Sequence, residues 1–171
     1  MSLSKKKKGI IFAVTIILVI LGGGGIFGGL YYNAVSQIEV DIDHVYITGF
    51  SEGGTFLNRT IDVDLEIHAS ISNPTSIAVE VDYAQFELYF DGVYSGEGQT
   101  SSFAATKTPS PMIIDVLLDD ISGEQYLLLA DLIFFGNSKV ATVRITSVMI
   151  WGIAVEINTD INVTVTSSDI F

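Results

Sequence analysis

Ser51 lies in Gly49-Phe50-Ser51-Glu52-Gly53, the G-x-S-x-G spacing that presents a nucleophilic serine in α/β-hydrolases. That chemistry needs a tight strand-to-helix elbow, backed by an acid and a histidine later in the chain. His68 is the only later histidine, and residues 58–71 alternate as a strand does, so no helix follows Ser51. A polar, glycine-rich hairpin loop from Gly49 to Gly54 is the expected structure, and no catalytic residue is assigned; a hydrolase using Ser51 and His68 is the enzymatic alternative. Asp62, Asp64 and Glu66 fall at i, i+2 and i+4, on one face of a strand. Asp41 with Asp43, and Glu80 with Asp82, repeat the spacing. Paired strands would set such carboxylates side by side, where they repel, and a hard divalent cation could relieve them. No D-x-D-x-D-G loop is present, so a solvated acidic face is expected, with weak divalent binding at Asp62, Asp64 and Glu66 second to it. Paired carboxylates also serve glycoside hydrolysis, but nothing resembling a Trp-lined sugar cleft accompanies them. Two glycosylation sequons occur, at Asn58-Arg59-Thr60 and Asn162-Val163-Thr164, whereas Asn73-Pro74-Thr75 is disqualified by its proline.

Composition excludes several classes. The 171 residues contain no cysteine, which removes disulfides, thiolate nucleophiles and Cys-ligated metal centres. His44 and His68 are the two histidines, too few for an imidazole-rich metal site. Eight basic against twenty acidic residues give a net charge of −12, the opposite of a nucleic-acid footprint. Hydrophobic residues make up 49% and charged residues 16%, a chain able to build a core. No cofactor is expected.

The charge is polarised. Lys5, Lys6, Lys7 and Lys8 hold half of the basic residues, and every acid lies at Glu39 or later. Between them Gly9–Tyr32 is an uncharged stretch of 24 residues, and a bilayer needs about 20. The expected organisation is a basic cytoplasmic tail at 1–8, a transmembrane anchor at 9–32, a linker at 33–37 and a domain at 38–171 outside the cell. Tyr31 and Tyr32 fall where an interfacial aromatic belt would be. A cleaved secretory signal is the rival, but no convincing A-x-A follows. A second rival is a pilin-like or surface-filament subunit, because Lys8-Gly9-Ile10-Ile11 matches prepilin processing after Gly9. Gly24, Gly25, Gly28 and Gly29 give small-xxx-small spacings that could bring two anchors together, but a flexible, loosely helical segment is the expected reading. Gly23-x-Gly25-x-x-Gly28 opens no βαβ unit, so it is no dinucleotide site.

Beyond the anchor the dominant period is two. Ile61, Val63, Leu65, Ile67, Ala69 and Ile71 alternate with polar residues, and so do Val155, Ile157, Thr159, Ile161, Val163 and Val165. Further strands are expected at Ile38–Thr48, Ile77–Tyr83, Phe86–Phe90, Ile113–Leu118 and Val140–Val148, with a hairpin turn at Asp91-Gly92. Ser122-Gly123-Glu124-Gln125 reads as a capping box, with Asp119 and Asp120 before it. It opens one helix over 122–135, which Gly136-Asn137 ends.

This order of residues resembles the late embryogenesis abundant group 2 family, also called water-stress and hypersensitive response domains. The match runs Asp62-Val-Asp-Leu-Glu-Ile-His-Ala-Ser-Ile-Ser-Asn73-Pro74, then Ile77–Phe90, then Asp91-Gly92-Val-Tyr-Ser-Gly96, and closes with Val140–Val165 around Gly152. It covers residues 38–168, and Asn73-Pro74 is its sharpest marker. The resemblance implies a mainly β fold: an antiparallel seven-stranded β-sandwich with one short helix, here behind an N-terminal transmembrane helix in a prokaryotic, archaeal-type member. It implies a non-catalytic role, in stress protection or in lipid binding within a groove, and supplies no catalytic residues. The helix Tyr126–Phe135 is apolar on every side and demands cover. Either one face packs on the sandwich while loops shield the rest, or it walls a lipid groove, with Leu128, Leu132, Phe135 and Trp151 as the candidates.

Overall fold

The computed structural model describes Leu30, residues 33–56 and residues 58–171. Besides the helical residues 33–35, nine strands and one longer α-helix follow among the described residues. They are β1 (Glu39–Thr55), β2 (Asn58–Ser72), β3 (Val79–Val81), β4 (Tyr83–Phe90), β5 (Val93–Gln99), β6 (Phe103–Ala105), β7 (Ser110–Ser122), α1 (Gly123–Phe135), β8 (Lys139–Ile150) and β9 (Ile153–Val165). One sheet has the order β1-β2-β7, a second has β5-β4-β8-β9, and β3 pairs with β6 apart from both. Every pairing between these strands is antiparallel. The apolar rows of β2 and β8 face each other across the sandwich, so Ile61, Leu65 and Ile67 share one core with Leu88, Phe90 and Val143.

The alternation on β2 is realised: Ile61, Val63, Leu65, Ile67, Ala69 and Ile71 are buried, and the residues between them are not. Asp91 and Gly92 form the expected two-residue turn, at φ 47° and 83°, the positive pair that matches strand twist in a tight hairpin. Gly136, at φ 71°, ends α1 and donates its N–H to the Leu132 carbonyl.

Several expectations are corrected. The strand count is nine rather than seven. β5 follows the expected Asp91-Gly92 hairpin, but its run through Gly96 and Gly98 to Gln99 is not signalled by residue type. In the fold the two glycines leave room for large neighbours, since a Cβ on Gly98 would stand 2.5 Å from Phe86 Cζ and one on Gly96 2.5 Å from Leu118 Cδ2. The strand expected at Ile77–Tyr83 shortens to β3, and the chain crosses into the other sheet at Asp82. Gly49–Gly54 is no loop: β1 runs through it in register with β2, Ser51 opposite Asp62 and Gly53 opposite Thr60. The capping box does not form, because the Ser122 side chain makes no cap hydrogen bond. Asp119 and Asp120 belong to β7, at a register shift where Asp120 takes φ 52°. Residues 33–37 are not a free linker. Residues 33–35 are helical, and Ala34 and Val35 are buried against Ile71, Val81 and Ile150.

The proposed anchor apart from Leu30, Lys5 to Lys8, Gly9, and the spacings at Gly24, Gly25, Gly28 and Gly29 lie outside the described residues. Among the described residues no helix is long and apolar enough to cross a membrane.

Candidate functional site

The two sheets do not close on each other completely. Between them lies a cavity of about 60 Å³. Val40 and Ile42 of β1, Ala69 of β2, Phe86 of β4, Ile145 of β8 and Ile157 of β9 line it. Val35, Ile38, Phe103 and Met112 continue the lining toward the end of the sandwich where the chain enters. Thr100 is the polar residue in this wall; its Oγ1 accepts the Ala84 N–H at 2.9 Å, so the hydroxyl is engaged with backbone. A cavity without polar partners does not hold ordered water. Its lining is almost wholly apolar carbon.

No family model matches the chain, and no curated protein matches it. Solved structures do resemble it. A protein from Archaeoglobus fulgidus is 13% identical with a TM-score of 0.40, over 74% of this chain and 97% of that one. An Arabidopsis thaliana protein solved in solution is 14% identical with a TM-score of 0.44, over 74% and 83%. A protein described as a putative late embryogenesis abundant protein, also solved in solution, is 14% identical with a TM-score of 0.44, over 83% and 77%.

The four lipid-groove candidates do not converge. α1 caps the end of the sandwich opposite the cavity, and none of Leu128, Leu132, Phe135 and Trp151 lines the cavity. Leu132 is fully buried in the main core beside Leu129. Leu128 and Phe135 flank a shallow outer groove with Tyr126 and Arg59, and Phe135 is 78% exposed. Phe134 meets Phe50 ring to ring at 5.6 Å, and Tyr126 Oη donates to Glu52 Oε1 at 2.8 Å, so the helix is braced on the β1–β2 hairpin. Trp151 sits at the far end, on the tip of the β8–β9 hairpin.

The carboxylate candidates also part company. Glu66 lies 3.1 Å from His68 Nε2, and Asp64 stands across from Gly49 and Leu117. Asp62 instead joins Asp119 and Asp120, brought to it by the β2–β7 pairing, with one oxygen of each within 4.8 Å of the others. Asp62 accepts the Asp120 N–H at 2.9 Å and the Ser51 hydroxyl at 3.1 Å. These bonds hold its carboxyl below the ordinary carboxylate range, the Asp120 N–H contributing most. Asp119 is pushed up, first by its hydrogen bond to Asp62 and then by that group's charge. Sequence spacing grouped Asp62 with Asp64 and Glu66, whereas the fold groups it with residues nearly sixty positions away.

Ser51 and His68 stay apart. Ser51 pairs with Asp62 in register, and His68 lies six residues further along β2, about 20 Å at the strand rise. Asn58 is exposed at the β1–β2 hairpin. Asn162 is exposed on β9, where its Oδ1 accepts the Thr142 hydroxyl at 2.7 Å.

Asn73 has a role that the residue pattern did not disclose. It is fully buried. Its Nδ2 donates to the Ala34 carbonyl at 2.9 Å and to the Ile77 carbonyl at 3.3 Å. Its Oδ1 accepts the Thr75 N–H at 3.0 Å, and its own N–H donates to the Thr106 carbonyl at 2.7 Å. One amide therefore ties the entering chain, the turn after β2 and the loop after β6 together beside the cavity. The Asn-Pro pair was its only signal, read as a family marker and a turn.

Proposed function

We propose that this chain is a membrane-anchored, non-catalytic β-sandwich module of the late embryogenesis abundant group 2 kind, held outside the cell by residues 9–32, and that its intersheet cavity takes an acyl tail. The observation that carries this reading is the cavity itself: apolar carbon lines it, at the end where the uncharged stretch joins the domain. About 60 Å³ suits the end of a tail rather than a whole lipid, so the headgroup stays outside. Positive-inside asymmetry supports the orientation, with Lys5–Lys8 on the cytoplasmic side. A stress-protective role is compatible with this reading through the lipid it would hold.

Native mass spectrometry of the full chain extracted from membranes tests it. A discrete added mass of lipid size is expected. Ala69→Leu puts three extra carbons into the cavity wall; cavity filling commonly stabilises by about 0.5–2 kcal/mol. That variant should lose the added mass while keeping its thermal stability. A bare wild-type chain, or lipid retained equally by Ala69→Leu, refutes the cavity as the lipid site.

A further inference from the structure

The end of the sandwich that holds the cavity is also the end where the chain arrives from the uncharged stretch. Ala34 and Val35 are packed into the domain there, in one cluster with Ile71, Val79, Val81 and Ile150. Asn73 Nδ2 fixes the Ala34 carbonyl at 2.9 Å. The expected anchor, residues 9–32, ends two residues before that fixed point. Two residues of fully extended chain reach at most about 7 Å. This inference rests on residues 9–32 being the membrane anchor. Granted that, the domain has no tether length with which to stand off from the bilayer, and whatever surrounds Ala34 lies at headgroup depth.

What surrounds Ala34 is suited to that depth. Ile150 of the same cluster is followed directly by the β8–β9 turn, Trp151-Gly152, at φ 52° and 73°. The Gly152 N–H donates to Asp82 Oδ2 at 3.0 Å, which holds the turn in place. Trp151 is 65% exposed, with Ile153 beside it 53% exposed. Leu30, on the chain just before the entry point, is exposed as well. Lys107 is exposed in the loop that Asn73 binds through the Thr106 carbonyl, at the same end. Tryptophan is amphipathic and collects at membrane–water interfaces, and lysine reaches phosphates with its stem along apolar surface. Asp82 and the exposed Glu156 add negative charge near the tip, which suits zwitterionic rather than anionic lipid. We propose that the β8–β9 tip, through Trp151 and Ile153, inserts into the headgroup region of the bilayer that holds the anchor. The domain is thereby fixed at two points, and the cavity end faces lipid.

Trp151 is the sole tryptophan of the chain, so the full-length protein reports on its own tip. The full chain is reconstituted into phosphatidylcholine vesicles and floated on a density gradient. Its emission is then recorded with lipids carrying spin-label quenchers either at the headgroup or at the end of the acyl chain. Expected are co-flotation, a blue-shifted emission relative to the urea-unfolded chain, and stronger quenching from the headgroup label. Co-flotation with no quenching by either label overturns the insertion while leaving the anchor intact. A blue shift without quenching has the same meaning and points to a protein contact instead. Stronger quenching from the chain-end label overturns the headgroup placement. Failure to float removes the anchor reading, and this proposal with it.

Discussion

Replacing Asn73 by alanine removes three side-chain hydrogen bonds at a fully buried position. Each is worth about 1 kcal/mol net, and the 3.3 Å bond to Ile77 less than that. The partners are not all orphaned: the Ala34 carbonyl also accepts the Gln37 N–H at 3.2 Å, and the Thr75 hydroxyl donates to the Ile77 carbonyl at 3.3 Å. The full desolvation penalty therefore falls mainly on the Thr75 N–H. Asn73→Ala should cost about 2–3 kcal/mol. The loss should also be local in a particular way. The Gln37 N–H bonds the Ala34 carbonyl and the Ile38 N–H bonds the Val35 carbonyl, so both depend on the short helical segment that Asn73 holds. Urea unfolding gives the total, and amide exchange gives the location. Protection at Gln37 and Ile38 should fall by more than protection within β2 or β8. A variant within about 0.5 kcal/mol of the parent, the ordinary range of surface changes, with exchange at Gln37 and Ile38 unaltered, would show that the entering chain is held by apolar packing alone.

Two more outcomes follow from contacts already described. Gly98→Ala drives a methyl to 2.5 Å from Phe86 Cζ, so the ring must move; overpacking of this kind costs about 1–3 kcal/mol. Thermal unfolding should show the drop, and an unchanged melting temperature refutes the close packing of β5 on β4. Asp119→Asn concerns pH. The folded Asp119 carboxyl is raised above its unfolded value by Asp62, so its charge opposes folding above the folded pKa, and that opposition fades as pH falls through it. The variant should therefore be more stable than the parent near neutral pH, with the difference shrinking as pH falls through the carboxylate range and Asp119 takes up its proton in both states. Urea midpoints across that range read the effect; a constant difference at all pH values refutes the pairing with Asp62.

The elements that were legible in the residues are those whose signal is local. β2 and β9 show a period of two because one face of each meets the core and the other meets water. Asp91-Gly92 states its turn because both positions need positive φ. Gly136 ends α1 for the same reason. The extent of β5 beyond the expected hairpin was not legible, because its glycines answer to Phe86 and Leu118, side chains of other strands. Gly152 was marked as the point between the two closing strands by the family resemblance rather than by its neighbours, because Trp151-Gly152 sits inside an apolar run. The candidate site was less legible than the fold. Of the two readings of the apolar helix, packing on the sandwich and walling a groove, the second does not fit the intersheet cavity, because α1 closes the opposite end.

Charge polarity, the uncharged 24-residue stretch, the lack of cysteine and the alternating strands are properties of composition and near-neighbour order, and they can be read without coordinates. The cavity, the Asp62–Asp119–Asp120 group and the bond from Asn73 to Ala34 join residues tens of positions apart. Their existence depends on which strands become neighbours and in what register, and a shift of one residue would turn every one of those side chains to the other face. Register is settled by the packing of two whole sheets against each other, a sum over many weak contacts that no short stretch of residues contains.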